Sequence, residues 1–127
     1  MKQQIIVNNM PPNLNEYRNM HYRELDKQKK EWEKIVYWIV KEQKIKPVSG
    51  PIRLTYRFWF KDRREHDPDN YACCAKFLND GLVSAGILQR DNFDHIPQFR
   101  VEQGGINKQP YIMIELEEIA NESEVSA

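Results

Sequence analysis

The sequence predicts an α/β (α+β) fold: a single mixed β-sheet whose elements run βαβαββ, with helices packed on it. Three observations carry that expectation. Ile52, Leu54, Tyr56, Phe58 and Phe60 alternate with Arg53, Thr55, Arg57, Trp59 and Lys61, the period of two that gives a strand one buried and one polar face. From about Glu24 to Glu42, residues Leu25, Trp32, Ile35, Val36 and Ile39 fall on one side of a helix at about 100° per residue. Finally, 127 residues without an internal repeat or low-complexity linker suit one domain, 1–127, with a core large enough to fold without staples.

The elements follow in order. Ile5-Ile6-Val7 is a short strand, ended by Asn8-Asn9-Met10-Pro11-Pro12-Asn13. The first helix spans about 24–42, and Pro47 to Pro51, with Ser49 and Gly50, is a loop. After the alternating strand, a second helix is expected over about 70–85, with Gly86 placed to stop it. Along it Cys73, Lys76 and Asp80 share one face with Asp69, while Tyr71, Cys74, Leu78 and Leu82 lie opposite. Two last strands, about 96–102 and 111–116, are separated by Gly104-Gly105 and Asn107 in a hairpin-like connection.

Composition narrows the function classes. No run approaches the roughly 18 consecutive apolar residues of a membrane span. The apolar stretch near the N-terminus is too short for a secretion signal, so a cytoplasmic location is expected. Cys73 and Cys74 are adjacent, badly placed to staple distant segments, and two thiols alone make no zinc site. Net charge is zero, yet residues 1–66 hold 15 Lys and Arg against 8 Asp and Glu, while residues 67–127 hold 4 against 11. A basic face opposed to an acidic site would satisfy that asymmetry. The acidic run from Glu115 to Glu124 reads more simply as a solubilising tail, with about 119–127 flexible.

The chemistry is concentrated in His66-Asp67-Pro68-Asp69-Asn70 and, further on, Asp91. Carboxylates from two segments can converge on a hard cation such as Mg²⁺, which prefers oxygen ligands and usually takes only one or two protein carboxylates. Lys61-Asp62-Arg63-Arg64 comes just before, so positive charge would sit beside a negative pocket. A phosphodiester needs that combination: cations to hold its backbone, and a carboxylate-bound metal to activate water and stabilise the leaving oxygen. Pro68 biases Asp67 toward extended torsions, from which Asp67 and Asp69 can point to one side, and Asp69 or Asn70 can cap the following helix. Lys76, about two turns further on, either meets the scissile phosphate or forms an i,i+4 ion pair with Asp80. Asp91 is either an ordinary turn aspartate or a third ligand; Asp94 and His95 are spare candidates. His66 and His95 read as supporting or surface residues, because an oxygen-ligand site does not call for imidazole.

Asp67-Pro68-Asp69-Asn70, then Lys76-Phe77-Leu78-Asn79-Asp80-Gly81-Leu82, then Ala85-Gly86-Ile87-Leu88-Gln89-Arg90-Asp91, resemble the signature of RusA-type Holliday junction resolvases. The opening Pro11-Pro12-Asn13-Leu14-Asn15-Glu16-Tyr17-Arg18 and the closing strands are similar too, so the resemblance covers about residues 3–118. It implies a homodimer that binds four-way DNA junctions and nicks opposing strands in pairs, with Mg²⁺ as cofactor and Mn²⁺ as a substitute. It also implies a phage or prophage origin and action in the cytoplasm of a bacterial host. By motif position, Asp67, Asp69 and Asp91 would be metal ligands and Lys76 the catalytic lysine. The chain departs from the pattern twice: Cys73 stands where the founding pattern has its lysine, and Arg90 where a second acid is frequent.

Candidates for DNA contact stand apart from the resemblance. Lys27, Lys30 and Lys34, with Arg23 and Lys41, form a row on the first helix nearly opposite its apolar stripe, flanked by Tyr37 and Trp38. The row could neutralise phosphates while the aromatics stack on opened bases, or it is a solvated face with an aromatic dimer contact. Arg53 and Arg57 on the strand's polar face, and Arg63 and Arg64 beside the acidic pair, are stronger candidates. The expected activity is therefore a Mg²⁺-dependent, structure-selective endodeoxyribonuclease in DNA recombination and repair. Its rivals are a nuclease preferring forks or flaps and a non-catalytic junction-binding protein.

Overall fold

The structure is a computed structural model and describes residues 1–119. Four strands form one mixed sheet: β1 (Lys2–Val7), β2 (Ile52–Phe60), β3 (Gln98–Ile106) and β4 (Tyr111–Glu118). The expected helix over about 24–42 is one helix, preceded by a short helix that the sequence reading did not place, and the second expected stretch is split in two. The short helix is α1 (Leu14–Arg18) and the expected one α2 (Tyr22–Glu42); the split stretch gives α3 (Pro68–Ala72) and α4 (Cys74–Ser84). The fold class and the alternation of elements are as the sequence predicts.

The strands run β1-β4-β2-β3 across the sheet, with β4 antiparallel to both β1 and β2, and β3 parallel to β2. This corrects the hairpin expectation. β3 and β4 flank β2 instead of pairing with each other, so residues 107–110 pass across the end of β2, where Asn107 N–H donates to the Phe60 carbonyl at 2.8 Å. Gly104 and Gly105 are not turn residues; they lie inside β3, where the β2 register slips between Phe58 and Trp59. A Cβ on Gly104 would stand 2.4 Å from the Trp59 indole, so the glycine makes room for that ring, which stacks on Tyr111 at 4.6 Å.

On the inner face of β2, Ile52, Leu54, Tyr56 and Phe58 are essentially fully buried under Trp32, Val36, Cys74, Phe77, Leu78 and Leu82. Trp32, Val36 and Val40 are the buried positions of α2, spaced four apart as its stripe requires. α4 crosses α2 closely enough that a Cβ on Gly81 would come 2.7 Å from Val36 Cγ2. Helix α4 ends as Gly86 predicts: Gly86, at φ 81°, follows the Ala85 cap, and Ile87 N–H returns to the Leu82 carbonyl at 2.9 Å.

The outer face of β2 carries charge held in pairs. Arg57 reaches Glu115 at 3.2 Å and Glu102 at 3.5 Å, Arg53 reaches Glu117 at 3.2 Å, and Lys2 reaches Glu115 at 2.8 Å. Glu115 and Thr55 are buried beneath these long side chains. The expected acidic tail therefore begins too early, because Glu115, Glu117 and Glu118 belong to β4. Ile119 is also tied down, donating to the Pro51 carbonyl at 3.0 Å; the remainder of the expected flexible stretch, 120–127, lies outside the described residues. Among the described residues no helix is long and apolar enough to cross a membrane.

Gly81→Ala should destabilise the fold by about 1–3 kcal/mol, since Val36 has to leave its rotamer or α4 must move; urea unfolding measures it. The hydrogen bond from Lys2, reinforced by Arg57, holds the Glu115 carboxyl below its usual pKa. Its contribution is therefore full above the ordinary glutamate range and lost as pH falls through the lowered folded value. Glu115→Gln should lower stability at pH 7 and converge with the parent protein in acid, as pH-dependent thermal melts would show.

Candidate functional site

The parallel pairing of β2 with β3 requires a crossover, and that crossover carries Asp67, Asp69, Lys76 and Asp91. Its entry is set by Pro68. Asp67 is extended, at φ −85° and ψ 129°, as a residue before proline must be, and Pro68 opens α3 at the first helical position. Asp67 is thus the N-cap residue, in place of Asp69 or Asn70, although its side chain makes no capping bond. Asp69 lies within the first turn of α3, so the two aspartates do not share an extended segment. Asn70 instead ties α3 to the start of α1, its Oδ1 accepting from Asn15 N–H at 3.1 Å. There Asn13 and Glu16 form a capping box.

The rest of the N-terminal segment braces the same region. Cys74 Sγ donates to the Pro11 carbonyl at 3.3 Å, and Tyr17 meets Phe77 edge-on at 6.3 Å. Burial pushes the Cys74 thiol up to about 12, so at neutral pH it is a packed, unreactive group. His66 closes the end of β2. Its ring stacks on Phe60 at 3.8 Å, Nδ1 lies 3.2 Å from the Tyr71 hydroxyl, and Nε2 is buried without a hydrogen-bond partner, 3.7 Å from Asp62. The ring is thus packed at the end of β2.

Lys76 and Asp91 line one open cleft of about 410 Å³, bounded by Ala72, Ala75 and Asn79 of the helices, Phe93 and Ile96 of the following loop, and Phe99 of β3. Beneath it runs a buried relay. The Tyr56 hydroxyl donates to Asn79 Oδ1, and Asn79 Nδ2 donates to Asp91 Oδ1 at 3.3 Å. Because the tyrosine occupies the amide oxygen, the Asn79 NH₂ has to face Asp91. The relay leaves the second Asp91 oxygen outside these hydrogen bonds. On its other flank Asp91 shares a shallow hollow with Glu33, Asp80 and Arg90.

The electrostatics follow from this crowding. Burial raises the Asp91 carboxyl, and the Asp80 charge raises it further, against the Asn79 hydrogen bond and the Lys76 charge. Burial pushes the Tyr56 phenol well above its usual value, and Asp91 adds to the effect. The expected alternative partner for Lys76 does not form: the ion pairs among the described residues do not include it. Lys76 is exposed at the cleft rim, free to meet an anion.

The three aspartates are not gathered into one cage. Asp67 lines a separate hollow along the seam between α3 and β3, with Phe58, Phe60, His66 and Tyr71. Among the described residues no group of three or more His, Cys, Asp or Glu is placed to hold a metal ion. Asp91 is the one of the three with geometry suited to a hydrated Mg²⁺: it is exposed at the cleft, its second oxygen lies outside the relay, and Mg²⁺ needs few protein ligands.

The basic candidates separate into groups. Arg53 and Arg57 lie on the outer face of the sheet, in the pairs described above, with the sheet between them and Asp91. Lys30 pairs with Asp26 at 3.0 Å, while Lys27 and Lys34 are exposed on α2. Arg63 is exposed, and Arg64, also exposed, rests 3.5 Å from Asp62. Tyr37 and Trp38 meet edge-on at 5.4 Å with Lys41 above them. Asp94 is exposed, and His95 Nδ1 lies 2.7 Å from Asn92 Oδ1. Sequence reasoning missed Asn79 and Tyr56. The signal was present in the Ala75, Asn79, Leu82 spacing, which sets a lone amide on the apolar face of α4, where it must find a partner.

Asp91→Asn should raise stability at neutral pH, because a raised folded pKa means the charged form opposes folding. The gain should be full above the folded value and vanish below the ordinary aspartate pKa of about 3.9, which denaturant titrations at several pH values would reveal. No protein-family model matches the chain, and no curated protein matches it either.

Proposed function

We propose that the protein is a Mg²⁺-dependent, structure-selective endodeoxyribonuclease of the RusA type that resolves four-way DNA junctions by paired nicks. The observation that carries the reading is the cleft in which an unpaired Lys76 and a destabilised Asp91, from different segments, face one space. Functional sites are where such unfavourable charge is kept. In this reading Asp91, whose second oxygen lies outside the relay, would hold a hydrated Mg²⁺, which when bound supplies Lewis-acid activation of the phosphodiester and of water. Asp67 lines a separate hollow, so Asp67 and Asp69 would join it only if α3 and the cleft drew together. Lys76 meets the scissile phosphate and offsets negative charge as it develops. Arg63 and Arg64, exposed just before Asp67, lead the backbone in, and Lys27, Lys30 and Lys34 neutralise phosphates of a neighbouring arm. A homodimer would set two sites at fixed separation, which suits two strands of one junction. A phage or prophage origin and action in the bacterial cytoplasm belong to the same reading.

One observation favours a second reading, a junction-binding protein without turnover: Asp67 and Asp91 line different hollows. A labelled mobile four-way junction, incubated with Mg²⁺ or EDTA beside duplex, fork and flap controls, separates the two. Paired symmetric nicks that require Mg²⁺ and spare duplex are the expected result. Lys76→Ala and Asp91→Asn should each reduce nicking about 100-fold or more while junction binding persists. Full cutting by either variant refutes the site, cutting mainly of forks or flaps changes the substrate, and tight binding without cutting favours the second reading.

A further inference from the structure

Between Gln89 and His95 the loop after α4 is polar except at one place. Gln89, Arg90, Asp91, Asn92 and Asp94 surround Phe93, whose surface is 85% exposed. A single exposed aromatic needs no explanation. Here, however, Phe99 of β3 is also exposed, at 43%, and both rings line the cleft that holds Lys76 and Asp91. Ala75 and Ile96 give that cleft an apolar floor. Its volume of about 410 Å³ lies within the roughly 300–1,000 Å³ of small-ligand sites. Neither ring belongs to the buried core or to the hydrophobics packed against it, but Phe99 lies 5.8 Å from the Tyr56 ring, and Phe93 is the more exposed of the two.

We infer that this cleft receives one unpaired nucleobase, with Phe93 as the stacking surface. The inference rests on the proposal that the protein binds branched DNA. Its chemistry suits a nucleotide: an apolar slot for the flat face of a base, a cation at the rim for its phosphate, and the Asp91 carboxylate beside them. Fully paired duplex keeps its bases stacked and cannot fill the slot. A branch point or bulge offers an unstacked base, so Phe93 makes the site prefer branched over linear DNA. Stacking reads no particular base, because every base has a π-face. The row at Tyr37 and Trp38 is a weaker candidate for this role, since those rings pack against each other under Lys41.

The test is the fluorescence of 2-aminopurine placed unpaired in a bulged duplex or at the centre of a four-way junction, titrated with protein in EDTA so that nothing is cut. The parent protein should quench the probe and bind the bulged duplex more tightly than the fully paired one. Phe93→Ala should abolish the quenching and weaken binding to the unpaired site about fivefold or more, with little change on paired duplex. Phe93→Tyr should restore both. Since Phe93 is exposed, its truncation leaves the core intact, and a matching far-UV spectrum and melting curve would confirm it. Unchanged quenching in Phe93→Ala, or no probe response with the parent protein, overturns the inference. A dimer that dissociates on Phe93→Ala with quenching unaltered also overturns it, in favour of a second copy as occupant. Junction nicking that is indifferent to Phe93 sinks this inference alone. Phe93-dependent quenching without nicking sinks the nuclease reading alone.

Discussion

Burial of β2 on both faces is the constraint on which the rest of the molecule depends. Its inner side chains form the floor of the core, and even Thr55 on the outer face is covered. A strand so placed must be central, with a partner on each side, and β4 and β3 supply them. Because β3 is parallel to β2, the chain has to return along the whole sheet before it can pair. That return is the segment from Lys61 to Pro97, and all four proposed catalytic residues lie on it. The need to bury one strand therefore also delivers the candidate chemistry to one edge of the sheet.

The site is coupled to this frame through polar groups as well as packing. Tyr56 is a core residue of β2, yet its hydroxyl must find a partner once buried, and Asn79 provides it. The amide then has a donor to spare, and Asp91 accepts from it. A loop aspartate is in this way referenced to the central strand through two side chains. Partial burial and the nearby Asp80 charge raise its carboxyl above the usual aspartate range. By contrast, the arginines of the outer face satisfy the carboxylates of β3 and β4, so they serve the sheet as it stands.

Local signals were legible wherever neighbours in sequence decide the outcome. The alternation at 52–60 made β2, the apolar stripe of 24–42 made α2, Gly86 stopped α4, and Pro68 held Asp67 extended. The misread segments were those in which a distant residue decides. Gly104-Gly105 has the composition of a turn, but it lies within β3 because Gly104 must pass beneath Trp59, far earlier in the chain. Glu115 has the composition of a tail, but Lys2 and Arg57 hold it in β4.

By itself the sequence determined the element types and the two-faced character of β2. Periodicity, proline and glycine act within a few residues, so they can be read without a structure. Only the tertiary structure decided that β2 separates β3 from β4, that Asn79 orients Asp91, and that Lys76 stays free of Asp80 while Arg53 and Arg57 do not stay free of acids. It also decided that Asp67 and Asp91 line different hollows and that Phe93 stands beside the latter. Each of these depends on pairing or packing between segments remote in sequence, where direction and distance are set by the whole sheet and not by local composition.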